Sequence, residues 1–261
     1  ESKKKKIEIF YNPQKCVLCQ RCASVCPSGA HEVSSTAHTF LREKCNACTL
    51  CADACPTKAL EVVGRLVSVQ EVLEEVLKDK IFYETSDGGV TLSGGEPMYQ
   101  FDFTLSLLKS CKENGLHTAM ETCGFAPSEN YKDVAPFVDL FLFDYKLFDP
   151  ELSKKYTGAD NELILKNLAL LDSLGKKIIL RCPIIPDIND CDEHFAKIAE
   201  TANKHKNIIE INVEPYHPLG IGKAEKLDVE YSIKASSPSK SDVQRYIDKI
   251  KETTDVPVIK A

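Results

Sequence analysis

Cys16-Val17-Leu18-Cys19-Gln20-Arg21-Cys22-Ala23-Ser24-Val25-Cys26-Pro27 is followed, 29 residues later, by Cys45-Asn46-Ala47-Cys48-Thr49-Leu50-Cys51-Ala52-Asp53-Ala54-Cys55-Pro56. Both stretches read C-x2-C-x2-C-x3-C-P, and the match continues, with Ala30, Glu32 and Val33 answered by Ala59, Glu61 and Val62. The unit is an internal duplication. Three thiolates separated by two residues each can wrap one face of an iron–sulfur cube from a single loop; the fourth cysteine, followed by a turn-forming proline, points away toward a second cube. That crossing assigns Cys16, Cys19, Cys22 and Cys55 to one [4Fe–4S] cluster and Cys45, Cys48, Cys51 and Cys26 to the other. Zinc prefers four ligands from paired C-x2-C knuckles, which leaves the third cysteine, the x3 spacing and the prolines without a reason. A segment this small and polar folds poorly alone, so the metal is expected to supply much of its folding energy.

Outward from the repeat, the chain has the make-up of an ordinary soluble protein, 43% hydrophobic and 28% charged. A net charge of −6 gives no reason to expect nucleic acid or an anionic membrane as partner. The one basic run, Lys3 to Lys6, reads as a solvated tail. Apolar runs such as Val138–Phe143 are far too short to span a bilayer. Twelve cysteines without a secretory pattern indicate metal or redox chemistry in a reducing compartment, here the cytoplasm. The chain opens on Glu1-Ser2 rather than Met, so further residues are expected upstream.

From about residue 65 the pattern changes to alternating helices and strands. Ser68-Val69-Gln70-Glu71 is a capping box, and Val69, Val72, Leu73, Val76 and Leu77 repeat at helical spacing. Strands are expected at Gly89–Leu92, His117–Thr122, Leu140–Tyr145, Lys177–Ile185, Ile208–Val213 and Val256–Lys260. Helices are expected at Phe101–Asn114, Ser128–Ala135, Asn161–Leu174 and Asp192–His205. Ser241-Asp242-Val243-Gln244 reads as a second capping box opening a last helix, and residues 218–240 read as a long loop. Unbroken apolar strands alternating with helices predict a parallel α/β sheet. Polar and glycine-bearing motifs follow strand after strand, as on the catalytic face of parallel barrels. Five or six units predict a partial, open (β/α)6-type barrel over 65–261, beside a small domain over 1–64.

Several of those motifs suit a small zwitterion. Ser93-Gly94-Gly95-Glu96-Pro97 follows a strand; Gly94 and Gly95 permit close backbone approach, and Glu96 could accept hydrogen bonds from an ammonium group. As a lone motif this is more often an ordinary turn. Asp144 and Lys146, two apart, share a face at a strand end and could equally form a self-contained ion pair. Arg181 lies inside an apolar run and needs an anionic partner. His217, between two prolines, caps another strand. Together they offer ammonium acceptors, carboxylate binders (Lys146, Arg181) and a diol binder (Asp144). Of the other cysteines, Cys111 and Cys182 read as small core residues, and Cys123 as packing near this site. His194 and His205 read as surface residues on their helix.

The order of motifs resembles the activating enzymes of glycyl-radical enzymes, a branch of the radical S-adenosylmethionine (SAM) family, and among them those with an inserted two-cluster, bacterial-ferredoxin-like domain. The resemblance covers the whole chain. It rests on the cysteine repeat, Thr91-Leu-Ser-Gly-Gly-Glu-Pro97, Glu121-Thr-Cys-Gly124, Asp144-Tyr145-Lys146, Lys155-Tyr-Thr-Gly158, Arg181-Cys-Pro-Ile-Ile-Pro186 with Asn189-Asp190, and Pro215-Tyr-His-Pro-Leu-Gly220. It implies that Gly94, Gly95 and Glu96 meet the methionine amino group of SAM, that Lys146 and Arg181 meet its carboxylate, and that Asp144, within Asp144-Tyr145-Lys146, meets the ribose. It places His217 near the nucleoside.

The C-x3-C-x2-C loop that holds the SAM-ligating cluster in that family is absent from these residues. We expect it, with a third [4Fe–4S] cluster and the first barrel strand, upstream of Glu1. The activity implied is reductive cleavage of SAM to a 5′-deoxyadenosyl radical that takes a glycine Cα hydrogen from a partner glycyl-radical enzyme, with flavodoxin or ferredoxin as electron donor. The residues alone are equally compatible with a ferredoxin-type electron carrier fused to a non-catalytic SAM-binding or docking scaffold. A radical SAM enzyme acting on a small molecule fits the motif order less well.

Overall fold

The duplication is written in the backbone. In the computed structural model, which describes residues 7–222, 224, 233 and 235–261, a short strand β1 (Glu8–Tyr11) precedes the first cysteine loop and helix α1 (Arg21–Val25). Strands β2 (His31–Val33) and β3 (His38–Phe40) follow, then helix α2 (Leu50–Asp53) and strand β4 (Leu60–Val63). β1 pairs antiparallel with β4, and β2 with β3. A 29-residue shift carries one ladder onto the other: Ile9 faces Val62 in the first, and His38 faces Val33 in the second. None of these four strands was expected from sequence. Their buried core consists of Ile9, Cys22, Cys51 and Leu60, so two of its four members are cysteines of the repeat.

The described residues divide into two compact units, one within Glu1–Leu66 and Leu219–Ile233, the other within Val67–Pro218 and Lys234–Ala261. In the second unit, helices α3 (Val69–Leu77) and α4 (Lys80–Ser86) lead into strand β5 (Val90–Leu92). Then come α5 (Phe101–Glu113), β6 (Thr118–Thr122), α6 (Ser128–Val134), β7 (Leu140–Asp144), α7 (Pro150–Thr157), α8 (Glu162–Ser173) and β8 (Lys177–Ile184). α9 (Asp192–Lys204), β9 (Ile208–Pro215), α10 (Lys240–Lys251) and β10 (Val258–Lys260) complete it. The six strands form one parallel sheet in the order β5-β6-β7-β8-β9-β10. The apolar runs behave as predicted: alternate residues such as Phe141, Phe143, Ile178, Leu180, Ile211 and Val213 are fully buried beneath the helices. Their opposite-face neighbours are partly exposed and carry the polar groups at the strand ends.

The Ser68 capping box is present, with the Glu71 N–H donating to Ser68 Oγ at 3.2 Å and the Ser68 N–H to Glu71 Oε2 at 2.7 Å. The last helix starts earlier than expected. Its box is Ser239 with Asp242, not Ser241 with Gln244, because Ser239 holds the extended conformation a cap needs. α4 and α7 were not expected; both carry too many polar residues to show a clear stripe. His194 and His205 are not surface residues: both are buried. His194 lies on the inward face of α9, stacked 5.9 Å from the Tyr145 ring, and His205 is held by Asp172 at 3.2 Å. The Lys3–Lys6 tail and, within the 218–240 loop, residues 223, 225–232 and 234 lie outside the described residues; Pro218–Gly220 forms a single 3-10 turn.

Candidate functional site

In the small unit the cysteine loops bring together the thiols that the spacing paired. Cys16, Cys19, Cys22 and Cys55 line one concavity, closed by Val33, His38 and Leu60. Cys26, Cys45 and Cys48 surround Cys51; burial first, then these neighbours, push the Cys51 thiol up to about 11. Four thiols gathered without a cation repel one another once ionised, and a bound metal centre removes that repulsion. The backbone also fits such a centre. Leu18, Gln20, Ala47 and Thr49, none of them glycine, all hold positive φ between 55° and 67°. Left-handed non-glycine residues are costly, and such runs turn successive N–H groups inward as an anion cradle. At Cys26 the Ala30 N–H (3.3 Å) and Ser28 hydroxyl (3.4 Å) reach the sulfur; at Cys55 the Ala59 N–H (3.2 Å) and Thr57 hydroxyl (3.8 Å) do the same. Burial opposes ionisation at both, yet these hydrogen bonds hold both thiols below their ordinary pKa, toward the thiolate a metal requires. Donor chemistry and backbone therefore fit two iron–sulfur clusters.

In the larger unit, charges collect at the C-terminal ends of four neighbouring strands. Arg181 of β8 is the centre. Its Nη1 meets Glu121 of β6, its Nε meets Glu214 of β9, and Asp144 of β7 lies at 3.9 Å. Asp144 also binds Lys146 Nζ at 2.9 Å. The arrangement follows from parallel register: Asp144 is opposite Arg181, and Arg181 opposite Asn212. Burial opposes the Lys146 charge, but Asp144, with Cys123 and Glu96 beyond it, holds its pKa above the ordinary value. Burial likewise raises Glu214 despite Arg181 beside it. Ser93 Oγ donates to Glu121 at 2.7 Å, tying the glycine turn to the same group.

Glu96 faces inward, accepting from the Met98 N–H (3.1 Å), Thr122 Oγ1 (2.9 Å) and the Cys123 N–H (2.8 Å). It clamps the β5 turn to the β6 turn. Gly94 and Gly95 are exposed beside it, Gly94 with φ of 125°. A cleft of about 760 Å³, lined by Arg181, Glu214, Tyr216, His217, Lys240 and Lys260 among others, opens at the β8–β10 side. On the β9 face the Oδ1 atom of Asn212 is buried and has no partner among the described residues.

Comparison with known proteins supplies the family. Residues 43–202 match the Radical SAM superfamily, and residues 8–70 match a 4Fe-4S dicluster domain. A trans-4-hydroxy-L-proline dehydratase activating enzyme from Clostridioides difficile is 44% identical over 227 residues, covering 86% of this chain and 75% of that protein. A choline trimethylamine-lyase activating enzyme from Oleidesulfovibrio alaskensis is 39% identical over 248 residues, covering 93% and 80%. The chain belongs to the radical SAM activating enzymes. Among solved structures, a domain of pyruvate-formate lyase-activating enzyme from Bacteroides vulgatus superposes with a TM-score of 0.57 at 27% identity, over 67% of this chain and 99% of that one. Streptococcus suis SuiB reaches the same TM-score of 0.57 at 14% identity, over 76% of this chain and 44% of that one; it shares the fold.

Membership of the activating enzymes favours catalysis over the carrier-and-scaffold alternative, and brings iron–sulfur clusters and SAM with it. The structure joins Asp144, Lys146 and Arg181 in one ionic group, with Glu96 close to Lys146, and sets His217 on the cleft beside Arg181. It does not bring the Tyr145 side chain to them. That ring is buried on the opposite face, within 3.4 Å of the Thr201 hydroxyl, and only its backbone N–H, donating to the Arg181 carbonyl at 2.7 Å, belongs to the site. Glu121 and Glu214 had no role in the sequence reading. The available signal was parity: each ends its strand on the face that Asp144 and Arg181 share, a pattern visible only once neighbouring strands are placed in register. Asn189 is a further support, donating to the Lys146 and Pro183 carbonyls at 2.9 and 2.8 Å.

Gly124 of this activating enzyme has a steric task. Its φ is 77°, and a Cβ there would lie 2.4 Å from Phe143 Cζ. Gly124→Ala is expected to cost about 2–3 kcal/mol, combining backbone strain with overpacking. Gly115→Ala, at φ 75° with nothing within 4 Å, is the control and should cost about 1 kcal/mol, from strain alone. Urea midpoints measure both; equal losses would show that Phe143 yields freely.

Proposed function

We propose that this chain is the activating enzyme of a glycyl-radical enzyme and that it holds SAM over the C-terminal ends of β6–β9. The observation that carries the reading is the Arg181 group. Within that group Glu96, Glu121, Asp144 and Glu214 outnumber the two cations Lys146 and Arg181, while Lys240 and Lys260 stand on the adjoining cleft. A site with excess carboxylate suits a ligand with net positive charge, and SAM, with a sulfonium, an ammonium and one carboxylate, is such a ligand. Arg181 and Lys146 are the available partners for its carboxylate. Glu96 and the open carbonyls of Gly94 and Gly95 are those for its ammonium, Asp144 for a ribose diol, and His217 for the nucleoside in the cleft. The unpartnered Asn212 Oδ1 marks an unused acceptor on the same strand as Glu214.

When bound, SAM and a reduced cluster supply homolytic cleavage of a C–S bond, giving a 5′-deoxyadenosyl radical that takes the Cα hydrogen of a partner's glycine. The chain's part is to orient the ligand's two ends and to exclude water around them. The eight repeat cysteines, in the two crossed sets, are proposed to hold two [4Fe–4S] clusters within a small domain over 1–64, followed in sequence by a SAM-binding barrel over 65–261. A third cluster, on a C-x3-C-x2-C loop that residues 1–261 do not contain, is part of the same proposal. A flavodoxin or ferredoxin is the proposed electron donor, and the cytoplasm the proposed compartment. No helix among the described residues is long and apolar enough to cross a membrane.

Calorimetric titration with SAM and with S-adenosylhomocysteine, which lacks the sulfonium charge, tests the reading. SAM is expected to bind at least about tenfold tighter, a difference of about 1.4 kcal/mol. Equal affinities, or none, would remove the electrostatic argument. In protein carrying the cluster loop, anaerobic reduction should release 5′-deoxyadenosine.

A further inference from the structure

The two cysteine sites of the small unit are copies, so their surroundings can be compared position by position. Most of the surroundings are shared. The Ala30 N–H and Ser28 hydroxyl at Cys26 correspond to the Ala59 N–H and Thr57 hydroxyl at Cys55. The left-handed residues Leu18, Gln20 and Gly29 correspond to Ala47, Thr49 and Lys58. Cys19 and Cys48, the outermost thiols, are both exposed. These features act on both sites alike.

Two positions break the symmetry. At the site of Cys16, Cys19, Cys22 and Cys55, the Tyr11 hydroxyl lies beside Cys16, and His38 Nδ1 lies 3.5 Å from the same sulfur. Tyr11 and His38 pack together, with ring centroids 4.4 Å apart. The residues 29 positions away, which take these places at the other site, are Phe40 and Ile9. Both are apolar; Ile9 belongs to the small core and Phe40 packs against it. Among the described residues no side-chain donor reaches Cys45, Cys48 or Cys51; only the Ala47 N–H meets Cys45, at 3.4 Å. His38 sets a ring nitrogen near each of two thiols, Nδ1 at 3.5 Å from Cys16 and Nε2 at 3.9 Å from Cys22. A metal-bound thiolate only accepts, and the shorter approach takes the proton, so Nδ1 donates toward Cys16 and Nε2 accepts from His31 Nδ1, 3.0 Å away.

Reduction of a cluster adds one negative charge to the metal–thiolate unit. A hydrogen bond to a ligand sulfur therefore stabilises the reduced state more than the oxidised one and raises the potential. We propose that the cluster held by Cys16, Cys19, Cys22 and Cys55 is the more readily reduced of the two, and that Tyr11 and His38 set the difference. One electron added to the pair takes that cluster from its 2+ to its 1+ state and leaves its neighbour oxidised. The inference rests on the assignment of clusters to these cysteines proposed above, and makes Tyr11 and His38 tuning residues that do not ligate iron.

The test is a dithionite titration of the anaerobically reconstituted chain, followed by electron paramagnetic resonance, with iron and sulfide analysis alongside. Two resolved midpoints are expected. His38→Ile and Tyr11→Phe should each lower the higher one by about tenfold in the reduction equilibrium, about 59 mV for one electron, and leave the lower one in place. Phe40→Tyr, which adds a hydroxyl at the matching position, should raise the lower one. Tyr11→Phe and Phe40→Tyr each change a single hydroxyl, so they report even if His38→Ile fails to fold. Coincident wild-type midpoints, or a separation that none of these substitutions alters, overturn the tuning proposal while the cluster assignment stands. A wild-type chain binding clearly fewer than about eight irons overturns the assignment itself, and the proposal with it.

Discussion

Arg181→Met is expected to weaken SAM binding by at least about a hundredfold, about 2.7 kcal/mol, as read by calorimetry on folded protein. Arg181 is reached by carboxylates from three separate strands, Glu121, Asp144 and Glu214. Methionine keeps an unbranched apolar stem but removes the fork. Three carboxylates then face one another with Lys146 paired to just one of them, Asp144, and a ligand carboxylate loses its main partner while meeting uncompensated negative charge. The loss of a charge-assisted, two-sided contact is large because neither flanking carboxylate can be rehydrated freely; the Arg181 side chain is only 21% exposed. Arg181→Lys should fall between, at about tenfold, since a single ammonium cannot serve Glu121 and Glu214 from opposite sides of a planar fork. Wild-type affinity in Arg181→Met would show that the carboxylate of SAM is read elsewhere.

The second large effect concerns the small unit. Anaerobic removal of iron by a chelator is expected to unfold residues 7–66 while the parallel sheet persists. Hydrogen exchange should show the difference, with the amides of Ile9 and Leu60 losing protection and those of β7 and β8 keeping it. The reason lies in composition. The buried core of the unit is Ile9, Cys22, Cys51 and Leu60, and both cysteines are proposed ligands. Without metal, the core loses the charge-neutralising centre around which its cysteine members gather. Two aliphatic side chains remain, worth about 2–3 kcal/mol each when buried, against the cost of left-handed backbone at Leu18, Gln20, Ala47 and Thr49. Undiminished protection in the metal-free chain would mean that the cysteine loops are held by the protein alone.

The parallel sheet was legible because its strands are apolar on both faces, one fully buried and the other partly so. Leu140–Asp144 and Lys177–Ile184 read as apolar runs, and the glycines and capping residues marked the helices between them. β1–β4 were not legible. They are three or four residues long, and their character comes from pairing across the duplication rather than from alternation. The ionic group was half legible. Asp144 with Lys146 could be paired from local spacing, and Arg181 was marked by being a charge in an apolar strand. Glu121 and Glu214 needed the register between neighbouring strands, which is not local information. Tyr11 and His38 were hidden for the same reason: each looks ordinary until laid over Phe40 and Ile9.

The order of the large sheet has a consequence for how the chain is made. Every strand from β5 to β10 pairs with the next one along the sequence, so no strand waits for a distant partner. Each βα unit, on leaving the ribosome, can dock on an edge that already exists, and growth proceeds in the direction of synthesis. Loop closure stays short at each addition until the last, where β10 must reach β9 across residues 216–257. The final strand and α10 are therefore expected to be the slow step of vectorial assembly, and the β9 edge to be the last edge that a following strand covers.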